Sequence, residues 1–225
     1  MRPFFLAMTG VIFLGPAMAA SPTVIELYQS QGCSSCPPAI SNVNALADKP
    51  GILALTFAVT YWDKLGWKDT FAKAAFTHRQ YDYERGLHHN SAFTPQVVVN
   101  GRADLVGADK RELANVVAHA TPINGPDIVI GKDAISVPAV SAAASADVWL
   151  VRYDPRTLNV KIGSGENGGV TLAHRNVVRD LVRIGTWNGT AQSYRLPPSA
   201  DPSWRSAVLL QEKDGGPILS AKPLM

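Results

Sequence analysis

Thr23-Val24-Ile25-Glu26-Leu27-Tyr28, then Gln29-Ser30-Gln31-Gly32, then Cys33-Ser34-Ser35-Cys36-Pro37-Pro38 is the stretch that decides how this chain folds. The first six residues read as a strand. Pro37 opens a helix to about Ala47, with Ile40, Val43, Leu46 and Ala47 on one face. Proline suits a first helical turn, where its missing N–H is no loss. The chain's 2 cysteines fall between strand and helix. A thiolate at a helix N-terminus is stabilised by free backbone N–H groups and by the helix dipole. A second cysteine three positions on can resolve a mixed disulfide. The expected arrangement is a thiol–disulfide site, with Cys33 exposed at the helix start and Cys36 one turn inside.

Upstream, Arg2 gives a short positive region, Phe4 to Leu14 is apolar, and Ala17-Met18-Ala19 fits a small-x-small cleavage site. The apolar run is shorter than the roughly 20 residues that span a bilayer. Residues 1–20 are therefore expected to be a signal peptide. The mature chain would carry no membrane span and would be periplasmic or secreted, where disulfides persist.

Composition is that of a globular protein, with 46% hydrophobic residues and a net charge of +3. Lysines and arginines are scattered without a stripe, so nucleic acid is not an expected partner.

Downstream, strands and helices alternate. Ile52 to Val59 is a near-continuous apolar run, as a buried parallel strand requires. Asp69 is placed to cap a helix from Thr70 to about Arg85 that Gly86 ends. Gln96 to Val99, Asn100-Gly101 and Ala103 to Val106 form a hairpin signal. Asp109 and Glu112 form a capping box before a further helix.

With Phe93-Thr94-Pro95-Gln96 ahead of that hairpin, the order resembles the thioredoxin superfamily. The resemblance implies a cis peptide bond at Pro95, beside Cys33 and Cys36. A closer resemblance is to an exported bacterial family known as domain of unknown function 1223. It rests on Glu26 to Pro38, on Tyr61-Trp62-Asp63-Lys64-Leu65-Gly66-Trp67-Lys68-Asp69, and on Phe93 to Gly101. It also rests on Gly165-Glu166-Asn167-Gly168-Gly169 through Arg179. These imply an α/β thioredoxin-like domain over residues 21–123. Cys33 and Cys36 would be catalytic, and Thr94, Pro95, Trp62 and Trp67 would bind the substrate. Glu26 lies near the buried acidic position of thioredoxins. It is a relay candidate, or a plain strand carboxylate facing solvent or an arginine. The aromatics between Tyr61 and Tyr83 wall a groove or fill a core.

Past Pro122 the pattern changes to short strands separated by turn signals at Gly131-Lys132-Asp133, Asp154-Pro155, Asn188-Gly189 and Asp214-Gly215-Gly216-Pro217. Residues 124–225 are expected to be an all-β, sandwich-like domain. Nothing in this half has catalytic spacing. Glu166, Asn167, His174 and Arg179 are grouped polar residues that loop packing explains equally well.

The expected function is thiol–disulfide exchange on protein or small-molecule thiols and disulfides, with no cofactor. Two alternatives stand beside it. The first is an envelope binding module whose disulfide is only structural, worth roughly 2 kcal/mol for so short a loop. The second is a copper site made of Cys33, Cys36 and one of His88 or His89.

Overall fold

Strand and helix order follows from where apolar runs meet turn residues. The computed structural model describes residues 21–141 and 145–224, so the expected signal peptide lies outside the described residues. The elements are β1 (Thr23–Gln29), α1 (Pro37–Asn44), β2 (Ile52–Ala58), α2 (Ala74–Gly86), β3 (Gln96–Val99), β4 (Ala103–Leu105) and α3 (Lys110–Ala118). There follow β5 (Val129–Ile130), β6 (Ala134–Val137), β7 (Ala146–Asp154), β8 (Leu158–Lys161), β9 (Thr171–His174), β10 (Val177–Trp187), β11 (Gln192–Arg195), β12 (Arg205–Glu212) and β13 (Ile218–Leu224). No helix among the described residues is long and apolar enough to cross a membrane.

Two helix boundaries differ from expectation. Asp69 does not cap α2. Its carboxylate accepts from the Phe71 N–H at 2.8 Å and the Gln31 N–H at 2.7 Å, so Lys73, in extended geometry, opens the helix instead. Helix α1 stops at Asn44, because Leu46 and Ala47 bond back three residues and tighten into turns. Asp109 does cap α3 as expected, accepting from the N–H groups of Arg111 and Glu112.

The large sheet runs β13-β12-β7-β10-β2-β1-β3-β4. Strands β1 and β2 are parallel, and β3 and β4 continue antiparallel. The second half departs from the expected separate domain: β10 pairs with β2 at Val177↔Thr56 and adds four strands to the same sheet. Asn176 makes the splice. It sits at a φ of 47°, its carbonyl accepts from the Thr56 N–H at 3.0 Å, and its side-chain amide donates to the Ala54 carbonyl at 2.9 Å. Asparagine tolerates that left-handed conformation better than most residues.

The core repeats the correction. On one face, Ile25, Leu27 and Ala54 pack with Cys33, Cys36, Ile40 and Val43, and also with Ile162 and Leu172. On the other, Val24, Tyr28, Leu55, Phe57, Phe76 and Tyr83 pack with Val151, Tyr153, Val178, Leu209 and Ala221. Both clusters cross residue 124, so each half completes the other's apolar face. At Gly215, φ 74°, a Cβ would stand 2.1 Å from the Asp82 carbonyl oxygen, so the β12–β13 turn presses backbone to backbone on α2. A sandwich-like layer does form locally. The sheet β11-β6-β5 lays Ile135, Val137 and Tyr194 over Val148, Leu150, Val208 and Leu210.

Candidate functional site

Helix α1 begins at Pro37, with Cys36 as its N-cap and Cys33 in the preceding turn. Cys33 is thus one turn before the helix and Cys36 at its cap, rather than at the helix start and one turn inside. The two sulfurs form a disulfide, with Cα atoms 5.4 Å apart. Both cysteines are 0% exposed, whereas Ser34 and Ser35 between them reach solvent. Cys33 is therefore not the exposed thiol expected from sequence.

The Thr94–Pro95 peptide bond is cis. Thr94 Oγ1 donates to Cys33 Sγ at 3.5 Å and accepts from Trp62 Nε1 at 2.8 Å. Ser35 Oγ lies 3.3 Å from the same sulfur and 3.4 Å from the Thr94 carbonyl. Pro95 itself is buried. Its loop is anchored from α2, where Gln80 Nε2 donates to the Phe93 carbonyl at 2.7 Å and to Gln96 Oε1 at 2.9 Å. Cys33, Cys36, Thr94 and Pro95 are therefore brought together. Trp62 and Trp67 are half-buried and packed against the cysteine cluster. Trp67 Nε1 donates to Gln31 Oε1 at 2.9 Å, so both indoles brace the two loops around the disulfide.

Part of what packs on the cysteine turn comes from far along the chain. The loop joining β8 and β9 lies across the cysteine turn. Asn167 Nδ2 donates to the carbonyls of Gln31 and Cys33, each at 2.9 Å. Glu166 Oε2 accepts from the Ser34 N–H at 3.2 Å and from Ser34 Oγ at 2.7 Å. These two bonds hold the Glu166 carboxyl below its usual range. The peptide between Cys33 and Ser34 is gripped at both its oxygen and its N–H by consecutive residues. Gly165, φ 74°, comes so close to Leu65 and Trp67 that a Cβ would meet backbone at 3.2 Å. Sequence spacing hid Glu166 and Asn167. The stretch counts toward the family resemblance, but its glycine flanking, Gly165 before and Gly168-Gly169 after, marks a tight turn rather than a ligand set.

Other candidates fall elsewhere. Glu26 alternates with Ile25 and Leu27, so it faces away from the cysteines. It is fully buried and pairs with Arg79, whose Nε and Nη2 donate to its two oxygens at 2.8 and 3.2 Å. Tyr83 OH donates to it as well. Burial, with Glu26 beside it, holds the Tyr83 phenol well above its ordinary range. This ion pair removes Glu26 from any relay to the disulfide. His89 turns to Asp104, with Nε2 2.8 Å from Oδ2. Among the described residues, no group of three or more His, Cys, Asp or Glu side chains is placed to hold a metal ion.

The family model described as a protein of unknown function (DUF1223) matches residues 24–211, from β1 into β12. The chain belongs to the DUF1223 family. That span includes the cysteine turn, the Pro95 loop and the loop that covers them. A crystal structure of an Agrobacterium tumefaciens protein superposes with a TM-score of 0.73 at 31% identity, over 93% of this chain and 96% of its own. HBP35 of Porphyromonas gingivalis superposes at 0.57 with 12% identity, over 91% of this chain and 75% of its own, a likeness of fold alone. No protein of curated function matches the DUF1223 chain.

Two buried titratable groups flank the site. His174 is fully buried, neither ring nitrogen has a hydrogen-bond partner, and its ring sits edge-on to Phe71 at 5.6 Å. Burial pushes its pKa down to about 4. Burial also pushes Asp69 up to about 6, against the pull of the Gln31 and Phe71 N–H groups. The signs oppose. A depressed histidine stabilises the fold above its unfolded pKa of about 6.5, and that contribution, about 3 kcal/mol, is lost as pH falls through about 4. A raised carboxyl stabilises at low pH and loses that contribution as pH rises through about 6. His174→Phe should therefore gain stability relative to wild type on going from pH 7 to pH 4.5. Asp69→Asn should show the opposite trend. Urea midpoints at the two pH values test this, and parallel pH profiles for wild type and His174→Phe would refute it.

Proposed function

We propose that this chain is a thiol–disulfide oxidoreductase with a thioredoxin-like active site, working in an exported compartment on protein or small-molecule thiols. The observation that carries the reading is the contact of the Thr94 hydroxyl, in the loop that enters cis-Pro95, with Cys33 Sγ at the mouth of α1. A disulfide needed only as a staple has no use for a second loop aimed at one of its sulfurs.

The chemistry is exchange. A partner thiolate attacks Cys33 Sγ, the Cys33–Cys36 bond breaks, and Cys36 leaves as thiolate. A second partner thiol, deprotonated, then attacks its own sulfur in the mixed disulfide and expels Cys33. The partner loses two electrons and ends as a disulfide, and Cys33 and Cys36 end reduced. The reverse sequence reduces a partner disulfide. Thr94 supplies a hydroxyl donor at Cys33, the Ser35 hydroxyl lies beside the same sulfur, and Trp62 fixes the direction of the Thr94 hydroxyl. Both cysteines are buried, so a partner reaches the sulfurs only when a segment packed around them moves.

Zero exposure favours a second reading, in which the disulfide only fastens the turn of an envelope binding module. Cys36→Ser, expressed in cells, separates the two. Exchange predicts partners captured on Cys33 and released by reductant, with none on Cys33→Ser. Equal and negligible capture by both variants would leave the structural reading in place.

A further inference from the structure

We propose that Glu166 sets the disulfide–dithiol balance of Cys33 and Cys36 and holds it toward the disulfide. The inference deepens the redox reading and takes its biological meaning from it, but the balance is measurable without it. Reduction places thiols, and at equilibrium some thiolate, in the turn before α1. Backbone N–H groups and nearby hydroxyls are what stabilise a thiolate there. Glu166 removes two of them, because Oε2 already takes the Ser34 N–H and Ser34 Oγ. It also sets a full negative charge against the residue next to Cys33. Stabilising the reduced form makes a disulfide more oxidising, so a carboxylate that disfavours the thiolate has the opposite effect. Asn167, next in the chain, anchors the loop that carries the charge, donating to the Cys33 and Gln31 carbonyls.

No other charged side chain hydrogen-bonds to residues 33–36 among the described residues. Glu166 is thus distinct from Thr94 and Ser35, whose hydroxyls touch the sulfur. It is a positioning residue that acts through charge and through Ser34.

The test is equilibration of the full mature chain with glutathione redox buffers. Two glutathione thiols lose two electrons and two protons to become glutathione disulfide, and Cys33 and Cys36 gain them. Glu166→Gln keeps an acceptor for Ser34 but removes the charge, and Glu166→Lys reverses it. The expected order toward dithiol is wild type, then Gln, then Lys. The Gln variant should shift by about tenfold, or about 30 mV for this couple. High salt on the wild type needs no substitution and should move it the same way, with the Gln variant indifferent. Values for Gln and Lys within twofold of wild type, or an order that ignores charge, would overturn the inference. Thiol oxidation and reduction of an unfolded protein are assayed alongside. A wild type without turnover removes the redox reading and leaves a charge-ordered balance standing. An active protein whose balance ignores residue 166 removes this inference alone.

Discussion

A chain divided between Pro122 and Pro126 is expected to give two unfolded pieces rather than two domains. Cutting there strips β2 of its β10 neighbour and uncovers the face formed by Val24, Leu55, Phe57, Phe76 and Tyr83. It also takes Ile162, Leu172 and the Asn167 bonds from the cysteine cluster. A fully buried large apolar side chain contributes roughly 1.5–3 kcal/mol, and domains of this size have only about 5–15 kcal/mol of net stability. Losing several such contacts exceeds that margin. Residues 21–123, expressed alone, should lack cooperative urea unfolding, and adding residues 124–225 in trans should restore it in part. A fragment 21–123 that melts cooperatively near the full chain's midpoint would refute the shared core.

The second large effect is expected at Arg79. Its guanidinium spans both oxygens of Glu26, with side-chain exposures of 3% and 0%. It lies 5.3 Å from the centre of the Tyr83 ring and 5.4 Å from that of Trp149. Substituting Arg79→Met leaves the Glu26 carboxylate buried with Tyr83 as its remaining donor. Breaking a buried pair from one side costs about 3–5 kcal/mol, largely through the stranded charge. Glu26→Gln on that background should therefore recover much of the loss. Chemical denaturation of the two single variants and the double variant gives the cycle. Arg79→Met within 1 kcal/mol of wild type, or a strictly additive double variant, would count against this account.

The order of elements up to α3 was legible because each has a local cause: an apolar run for β2, Asn100-Gly101 for the β3–β4 turn, Asp109 for the cap of α3. The cysteine turn was legible for the same reason, whereas the place of Pro95 beside it is what the resemblance to thioredoxins implies. What was not legible is long-range. Strand β13 escaped notice because Pro223 interrupts its pattern, although an edge strand tolerates proline. The joining of two halves into one sheet rests on the single bridge at Val177 and on Asn176, which nothing local in the sequence ties to β2. Helix α2 was misplaced by one turn because a carboxylate suited to capping is engaged by Gln31, 38 positions away. Trp62 and Trp67, which the sequence leaves open between a groove wall and a core, pack against the cysteine cluster and turn their ring nitrogens to Thr94 and Gln31.

The grip of Glu166 on Ser34 joins residues 132 positions apart. A ribosome making about 5–20 residues per second needs on the order of ten seconds to add that intervening length. Throughout that interval Cys33 and Cys36 exist without their cover, open to whatever oxidant or thiol the surroundings hold. When residues 164–169 arrive, their bonds to Ser34 and to the Gln31 and Cys33 carbonyls change the setting in which the two sulfurs exchange. The nascent chain therefore reaches its disulfide–dithiol balance without Glu166, and the folded chain reaches it with Glu166 set against Ser34.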